Sequence, residues 1–163
     1  MQYVLFVAMA SACLIVAAVI ESKIVECSGG EWFGFLAYHN ENSTTQSYSD
    51  VKTTDTMLDT VSSIAQLAWP AMSLSLGGLI FAGLLFVNLL TGGESSRFEL
   101  VVGVFIFILY LMSALLATLV VSRANSYVME STCMLGRDTY LLWAGSAFMI
   151  LSIRMLWKLD RTK

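Results

Sequence analysis

Charged residues are scarce in this sequence, at 13% of its 163 residues, against about 25% in ordinary globular proteins. The shortage is local, because four long stretches contain no Asp, Glu, Lys or Arg: 2–20, 68–90, 100–121 and 140–153. Hydrophobic residues make up 57% of the chain, and long apolar stretches without charge are typical of transmembrane helices. The composition therefore argues against an ordinary soluble domain and predicts four membrane spans.

Chemically reactive side chains are also few. His39 is the only histidine, no Cys-x-x-Cys pair occurs, and the four charge-free stretches offer no carboxylate at mid-membrane depth. Catalytic triads, His-rich metal sites, disulfide exchange and proton-coupled transport each depend on such groups. We therefore expect no enzyme, no cofactor and no metal site. A membrane enzyme acting on lipid or quinone would require a site that the sequence does not display.

Basic residues are too few to attract nucleic acid, because the net charge is −3 and no basic patch occurs. Their placement predicts orientation instead. Four spans put both termini on one side, together with the basic residues Arg97, Arg154, Lys158, Arg161 and Lys163. Four of these five cluster at the C-terminal end, where the positive-inside rule applies. We expect an integral membrane protein, in the plasma membrane, with both termini in the cytoplasm.

The middle of the chain predicts an antiparallel helical hairpin, since two apolar runs are separated only by the polar segment 91–97. A hydrocarbon core of about 30 Å needs about 20 helical residues, and each run supplies that many. Residues 1–163 are then one membrane domain with two outer loops, at about 21–61 and 123–138. The predicted spans cover about 2–20, 62–90, 99–122 and 139–157.

Three cysteines occur, and their positions are more informative than their number. Cys13 lies in the first apolar run and is expected to be a small buried residue. Cys27 and Cys133 lie in the two polar segments that share one side of the membrane. If that side is extracellular, Cys27 and Cys133 can form a disulfide bond.

The first outer loop is predicted to contain a β-hairpin. The β-prone runs 23–27 and 32–38 flank Gly29-Gly30, whereas 46–56 is rich in Ser, Thr and Asp and is expected to be irregular.

Asn42 begins an N-glycosylation triplet, which places the loop outside the cytoplasm if it is used. Seven carboxylates against two lysines over 21–59 give this loop a net charge of −5. That charge either attracts cations or keeps the loop solvated.

Aromatic residues are concentrated in the same loop, at Trp32, Phe33, Phe35 and Tyr38. Four large rings in seven residues either pack beneath the loop or contact a partner. Strand alternation sends Trp32 to one face, and Phe33 and Phe35 to the other. Both interpretations stay open from the sequence, and these four residues are the recognition candidates.

Small residues at helical spacing occur in the second and third spans. Such residues let helix backbones approach closely in lipid, where packing drives association. Their frequency in membrane helices is an equally good explanation of the pattern. The candidate helix-packing residues are Ser73, Gly77, Gly78, Ala82, Ser113 and Ala117.

The order of these features resembles the claudin, peripheral myelin and epithelial membrane protein superfamily. The likeness is closest around the hairpin, in Leu90-Thr91-Gly92-Gly93 and Arg97-Phe98, followed by Gly103 and Ser113-Ala114. The first loop carries only Trp32-Phe33-Gly34-Phe35-Leu36 where the family has a Trp, a Gly-Leu-Trp and two cysteines. With one cysteine in this loop, a bond from Cys27 to Cys133 would tie the two loops together instead.

The resemblance implies an all-α integral membrane fold, a left-handed four-helix transmembrane bundle capped by a small extracellular β-sheet from the loops. It also implies a non-enzymatic role in cell–cell contact, junctions or membrane organisation. The alternatives are an auxiliary subunit of an ion channel or receptor, or a small subunit of a larger membrane transport complex. Expected partners are membrane lipids, and other membrane proteins or a second copy bound through helix faces and outer loops.

Overall fold

A computed structural model gives the fold of the chain. It describes residues 2–19, 23–39, 45–48, 57–91, 96–127 and 132–161. Over these residues the chain is mostly helical, with α1 (Gln2–Val19), α2 (Met57–Leu90), α3 (Ser96–Tyr127) and α4 (Arg137–Arg161). Five short strands lie between the helices: β1 (Val25–Cys27), β2 (Trp32–Phe33), β3 (Ala37–His39), β4 (Thr45–Ser47) and β5 (Cys133–Leu135).

Three of the helices are long and apolar enough to cross a membrane, through the segments Val61–Asn88, Arg97–Ser126 and Arg137–Lys158. In α1 the corresponding apolar stretch is shorter, Val4–Val16. Helices α2, α3 and α4 extend beyond the spans predicted from charge, because α2 begins at Met57 and α3 continues to Tyr127. They therefore occupy part of what the sequence indicated as outer loops. Pro70 lies within α2, which is helical on both sides of it.

The four helices form a closed ring, in which α1 packs on α2, α2 on α3, α3 on α4 and α4 on α1. Tyr110 of α3 is fully buried in this ring. Its ring lies against Gly78 of α2 and Gly145 of α4, and its hydroxyl lies next to Ser11 of α1. Among the described residues it is the one buried side-chain polar group without a hydrogen-bond partner.

The predicted helix-packing residues divide into two groups. Gly78, Ala82 and Ala117 are buried between helices, and the buried Ser113 hydroxyl donates a hydrogen bond of 2.7 Å to the carbonyl of Ala71 on α2. Gly77 is half-buried, with Leu109 of α3 at the edge of van der Waals distance. Ser73 differs, since it is exposed and its hydroxyl donates to the carbonyl of Trp69 in its own helix. For Ser73 a packing role therefore stays a prediction, for contact with a second protein.

The strands form one antiparallel sheet in the order β4-β3-β2-β1-β5. The hairpin predicted around Gly29-Gly30 is present as β1 and β2, and Gly30 has a positive φ of 87° there. The expectation of irregular structure from residue 46 is wrong at its start, because Gln46 and Ser47 belong to β4. Pairing with β3 supplies the backbone partners that a Ser/Thr-rich segment does not predict by itself.

The sheet and the bundle share one continuous apolar core. Val25, Phe33 and Phe35 of the sheet region lie in the same buried cluster as Ile64 of α2 and Val120 of α3. One face of the sheet is thus closed by the helices, while the other face stays accessible.

Candidate functional site

The accessible face of the sheet carries one row of side chains across all five strands. Strand register aligns its members, and we call them the exposed row: Met134, Glu26, Trp32, His39 and Thr45. Met134 is 68% exposed, Glu26 and Thr45 are exposed, and Trp32 and His39 are half-buried. The row brings a thioether, a carboxylate, two rings and a hydroxyl onto one surface, so it can make apolar, ionic and hydrogen-bonded contacts together.

Trp32 is the centre of the exposed row. The His39 ring stacks on it, with centroids 5.5 Å apart and planes 4° from parallel, and His39 Nδ1 lies 3.1 Å from Thr45 Oγ1. Lys23 Nζ lies 5.7 Å from the indole centroid and 3.7 Å from a Glu26 carboxylate oxygen. A cation over an indole at the protein surface contributes about 0.5–1 kcal/mol, and a surface ion pair about 0–1 kcal/mol. These contacts therefore hold the surface side chains in place more than they stabilise the fold.

The other predicted aromatic candidates belong to the opposite face. Phe33 is 2% exposed and Phe35 is 3% exposed, so their proposed role as recognition residues is wrong and they form core instead. The half-buried Tyr38 stacks between Phe33 and Tyr48, and its hydroxyl donates to Gln46 Oε1 at 2.8 Å. Burial, reinforced by Tyr38, raises the pKa of the Tyr48 phenol, which keeps it neutral and able to donate to the carbonyl of Gly34.

Cys27 and Cys133 form a disulfide bond that joins β1 to β5, across a sequence separation of 106 residues. The two cysteines face each other directly in the strand register. On the opposite side of β5, the Asn125 amide bonds both backbone groups of Cys133: Oδ1 accepts from its N–H at 2.7 Å, and Nδ2 donates to its carbonyl at 3.1 Å. One side chain of α3 thus substitutes for the next strand and closes this edge of the sheet.

The segment between α1 and β1 is anchored to the first turn of α4. The Lys23 backbone N–H donates to Asp138 Oδ2 at 2.6 Å, and the Asp138 N–H donates to the Lys23 carbonyl at 3.1 Å. The Ile24 carbonyl accepts from the Gly136 N–H and the Thr139 hydroxyl. A Cβ on residue 136 would collide with the Lys23 carbonyl oxygen, so only glycine fits this approach.

These anchoring residues were not identified from the sequence. Asp138 is completely buried, with Arg137 Nε 3.1 Å from its Oδ1, although it follows a polar loop. The sequence Gly136-Arg137-Asp138 directly before an apolar run indicates a helix start, because an acid is favourable in the first turn of a helix. It was the one local signal for Asp138. Asn125 and Met134 had no comparable local signal, because their roles come from the position of β5.

Asn42, the glycosylation candidate, lies outside the described residues. Within the part of the chain that the structure describes, no group of three or more His, Cys, Asp or Glu side chains is placed to hold a metal ion.

Comparison of this chain with protein-family models, with curated proteins and with solved structures finds no match.

Proposed function

We propose that this protein is a four-span integral membrane protein of the plasma membrane that acts through the exposed row in cell–cell or lateral contact, as a non-enzymatic, claudin-like protein. Both termini lie in the cytoplasm and the sheet lies outside. The three long apolar helices and the large apolar side chains exposed along them support the spans. The Cys27–Cys133 disulfide supports an outside sheet, since such bonds persist in oxidising compartments.

The observation that carries the contact function is the attachment of the exposed row. Both polar segments build the sheet, a disulfide joins them, and hydrogen bonds from α3 and α4 fix the sheet to the bundle. A surface that is already ordered loses little conformational entropy when a partner binds. The side chains of the exposed row contribute little to stability, yet they are held in fixed positions. A recognition role accounts for this order.

Topology is tested first, with single engineered thiols in a Cys13→Ala background that retains the disulfide. Leu36→Cys and Lys163→Cys are labelled with a membrane-impermeant maleimide on intact cells. We expect labelling at position 36 and none at position 163 until the membrane is permeabilised. Equal labelling of both positions on intact cells would contradict the proposed orientation.

Contact is tested by cell aggregation and by purification in mild detergent. Met134→Lys places a charge at the most exposed apolar position of the row, and we expect it to weaken cell aggregation about tenfold or more, as for the loss of an apolar anchor of an interface. Leu36→Lys is the matched control, because Leu36 is 52% exposed but lies outside the row. Equal effects of both variants would reject the exposed row as the contact surface. A stoichiometric membrane partner with unchanged aggregation would favour the auxiliary-subunit alternative.

A further inference from the structure

One exposed face of α3 changes from apolar to polar along the helix. Met112, Leu115 and Leu119 are 46%, 43% and 52% exposed, and the exposed Ser122 and Ser126 continue the same line. Successive spacings of three, four, three and four residues keep all five on one helix face. At about 1.5 Å per residue, the apolar part is about 10 Å long and the hydroxyl-bearing part about 6 Å.

A groove of about 570 Å³ lies at the polar end of this face. Four of its six lining residues are polar, and the lining consists of Thr118, Val121, Ser122, Asn125, Ser126 and Leu135. The groove therefore lies between α3 and β5, where the apolar sequence of α3 ends. Trp143 of α4 adjoins it, donating a hydrogen bond of 3.2 Å to Thr118 Oγ1.

The polar groups of the groove are not equally available to a ligand. Asn125 already bonds both backbone groups of Cys133, and the Ser126 hydroxyl donates to the Ser122 carbonyl. The Thr118 hydroxyl donates to the Ala114 carbonyl and accepts from Trp143. The Ser122 hydroxyl has no hydrogen-bond partner among the described residues, so it is the group open to an acceptor.

We propose that this groove binds the phosphate–glycerol region of one phospholipid, whose acyl chain lies along Leu119, Leu115 and Met112. The inference rests on the proposed membrane insertion. A phosphate oxygen accepts from Ser122, and the exposed Arg123 next to it in the sequence adds a positive charge at this end of α3. A sterol has one hydroxyl on a rigid apolar body and fits a mainly polar groove poorly. Free phosphate does not use the apolar part of the face.

Native mass spectrometry of the full-length, disulfide-bonded protein tests the proposal. The protein is equilibrated in mild detergent with palmitoyl-oleoyl-phosphatidylcholine, with cholesterol or with inorganic phosphate. We expect one retained phospholipid per chain and no comparable retention of cholesterol or phosphate. Ser122→Ala should weaken retention about three- to tenfold, as for the loss of one ordinary hydrogen bond. Ser122→Phe should weaken it more than tenfold by filling the groove.

Ser73→Phe is the matched control, because it makes the same change at an exposed serine of α2 whose hydroxyl bonds its own helix. Unchanged retention in Ser122→Phe, an equal loss in Ser73→Phe, or retention of cholesterol in place of phospholipid would overturn the proposal. No retained phospholipid in a protein whose thiol labelling shows the proposed topology would overturn this inference and leave the proposed function standing. Failure of the topology itself would reject both.

Discussion

The sheet and the helical bundle of this protein share one apolar core but differ in the contacts that reinforce it. Each strand of the sheet has only two or three residues, and the sheet is fixed by a disulfide and by hydrogen bonds from α3 and α4. The bundle is instead closed by close packing, with the buried ring of Tyr110 against Gly78 and Gly145. Both regions share the apolar core, but directional bonds are concentrated around the sheet, whereas the centre of the bundle depends on the fit of apolar volumes.

This difference predicts that the two regions tolerate different kinds of substitution. Directional bonds at a few backbone positions fix the sheet. The side chains on its accessible face therefore contribute little to the stability of the fold. The exposed row can therefore change in sequence at little cost in stability. The bundle has no such freedom at its centre, because close-packed interiors tolerate few changes of volume. Substitutions that remove a bond should damage the sheet, and substitutions that add volume should damage the bundle.

The largest effect is expected from removing the disulfide. Cys27→Ala/Cys133→Ala should lower the free energy of unfolding by about 2–5 kcal/mol, because a crosslink across a long sequence separation restricts the unfolded chain. Unfolding by SDS titration of the purified protein measures the change. Cys13→Ala is the matched control, since Cys13 is a free, half-buried cysteine, and we expect a change below about 1 kcal/mol. Unfolding of the double variant at the wild-type SDS fraction would show that hydrogen bonds and the shared apolar core fix the sheet without the disulfide.

A smaller effect is expected from adding one methyl group at the centre of the bundle. A Cβ at Gly78 would collide with Tyr110 Cε1, whereas one at Gly83 of the same helix meets no heavy atom within 4 Å. Gly78→Ala should therefore lower the free energy of unfolding by about 1–3 kcal/mol. Gly83→Ala should leave it unchanged or raise it by up to about 1 kcal/mol, since alanine is the better helix former.

A double variant sharpens this test of volume. Tyr110→Leu shortens the side chain that Gly78→Ala meets, so the two substitutions together should cost less than the sum of their separate effects. SDS titration of the two single variants and the double variant gives this coupling. Additive effects would mean that Gly78 is required for a reason other than its contact with Tyr110.

The sequence predicts the parts of this fold that are encoded locally. Charge-free runs located the helices, and β-prone residues around Gly29-Gly30 located the first hairpin. Strand alternation correctly separated Trp32 from Phe33 and Phe35, but it could not say which face the helices would cover. Composition therefore predicts the elements, while the accessible face depends on packing between distant segments.

The attachment of the sheet was not predictable from local signals. Lys23 meets Asp138 across 115 positions of sequence, and the Ile24 carbonyl meets Thr139 across the same separation. In the sequence, Asp138 is like any other acid at the start of a helix. Its contact with Lys23 depends on the packing of α1 against α4. Small-residue spacing was similarly incomplete, since it selected Ser73 together with Gly78 but contained no information on which of them faces Tyr110.

The smallest of these effects, and the most specific for the sheet, is expected at Asn125. Asn125→Ala removes both hydrogen bonds to the Cys133 backbone and should lower the free energy of unfolding by about 1–2 kcal/mol. The expected loss is moderate because water can reach part of this edge. Asn125→Asp keeps the acceptor for the Cys133 N–H but places a carboxylate oxygen against its carbonyl, so it should destabilise at least as much. Ser126→Ala, which removes only a bond within α3, should change stability by less than about 0.5 kcal/mol.

Hydrogen exchange distinguishes this local effect from general destabilisation of the protein. The Cys133 amide should exchange faster in Asn125→Ala under native conditions, because its acceptor is gone and opening of the edge no longer requires opening of the bundle. Gly78→Ala should leave exchange at β5 close to wild type, although its loss of stability is as large or larger. If both variants accelerate exchange at Cys133 equally, the sheet and the bundle unfold as one unit. The sheet and the bundle would then differ in the contacts that they make, but neither would have a free energy of unfolding of its own.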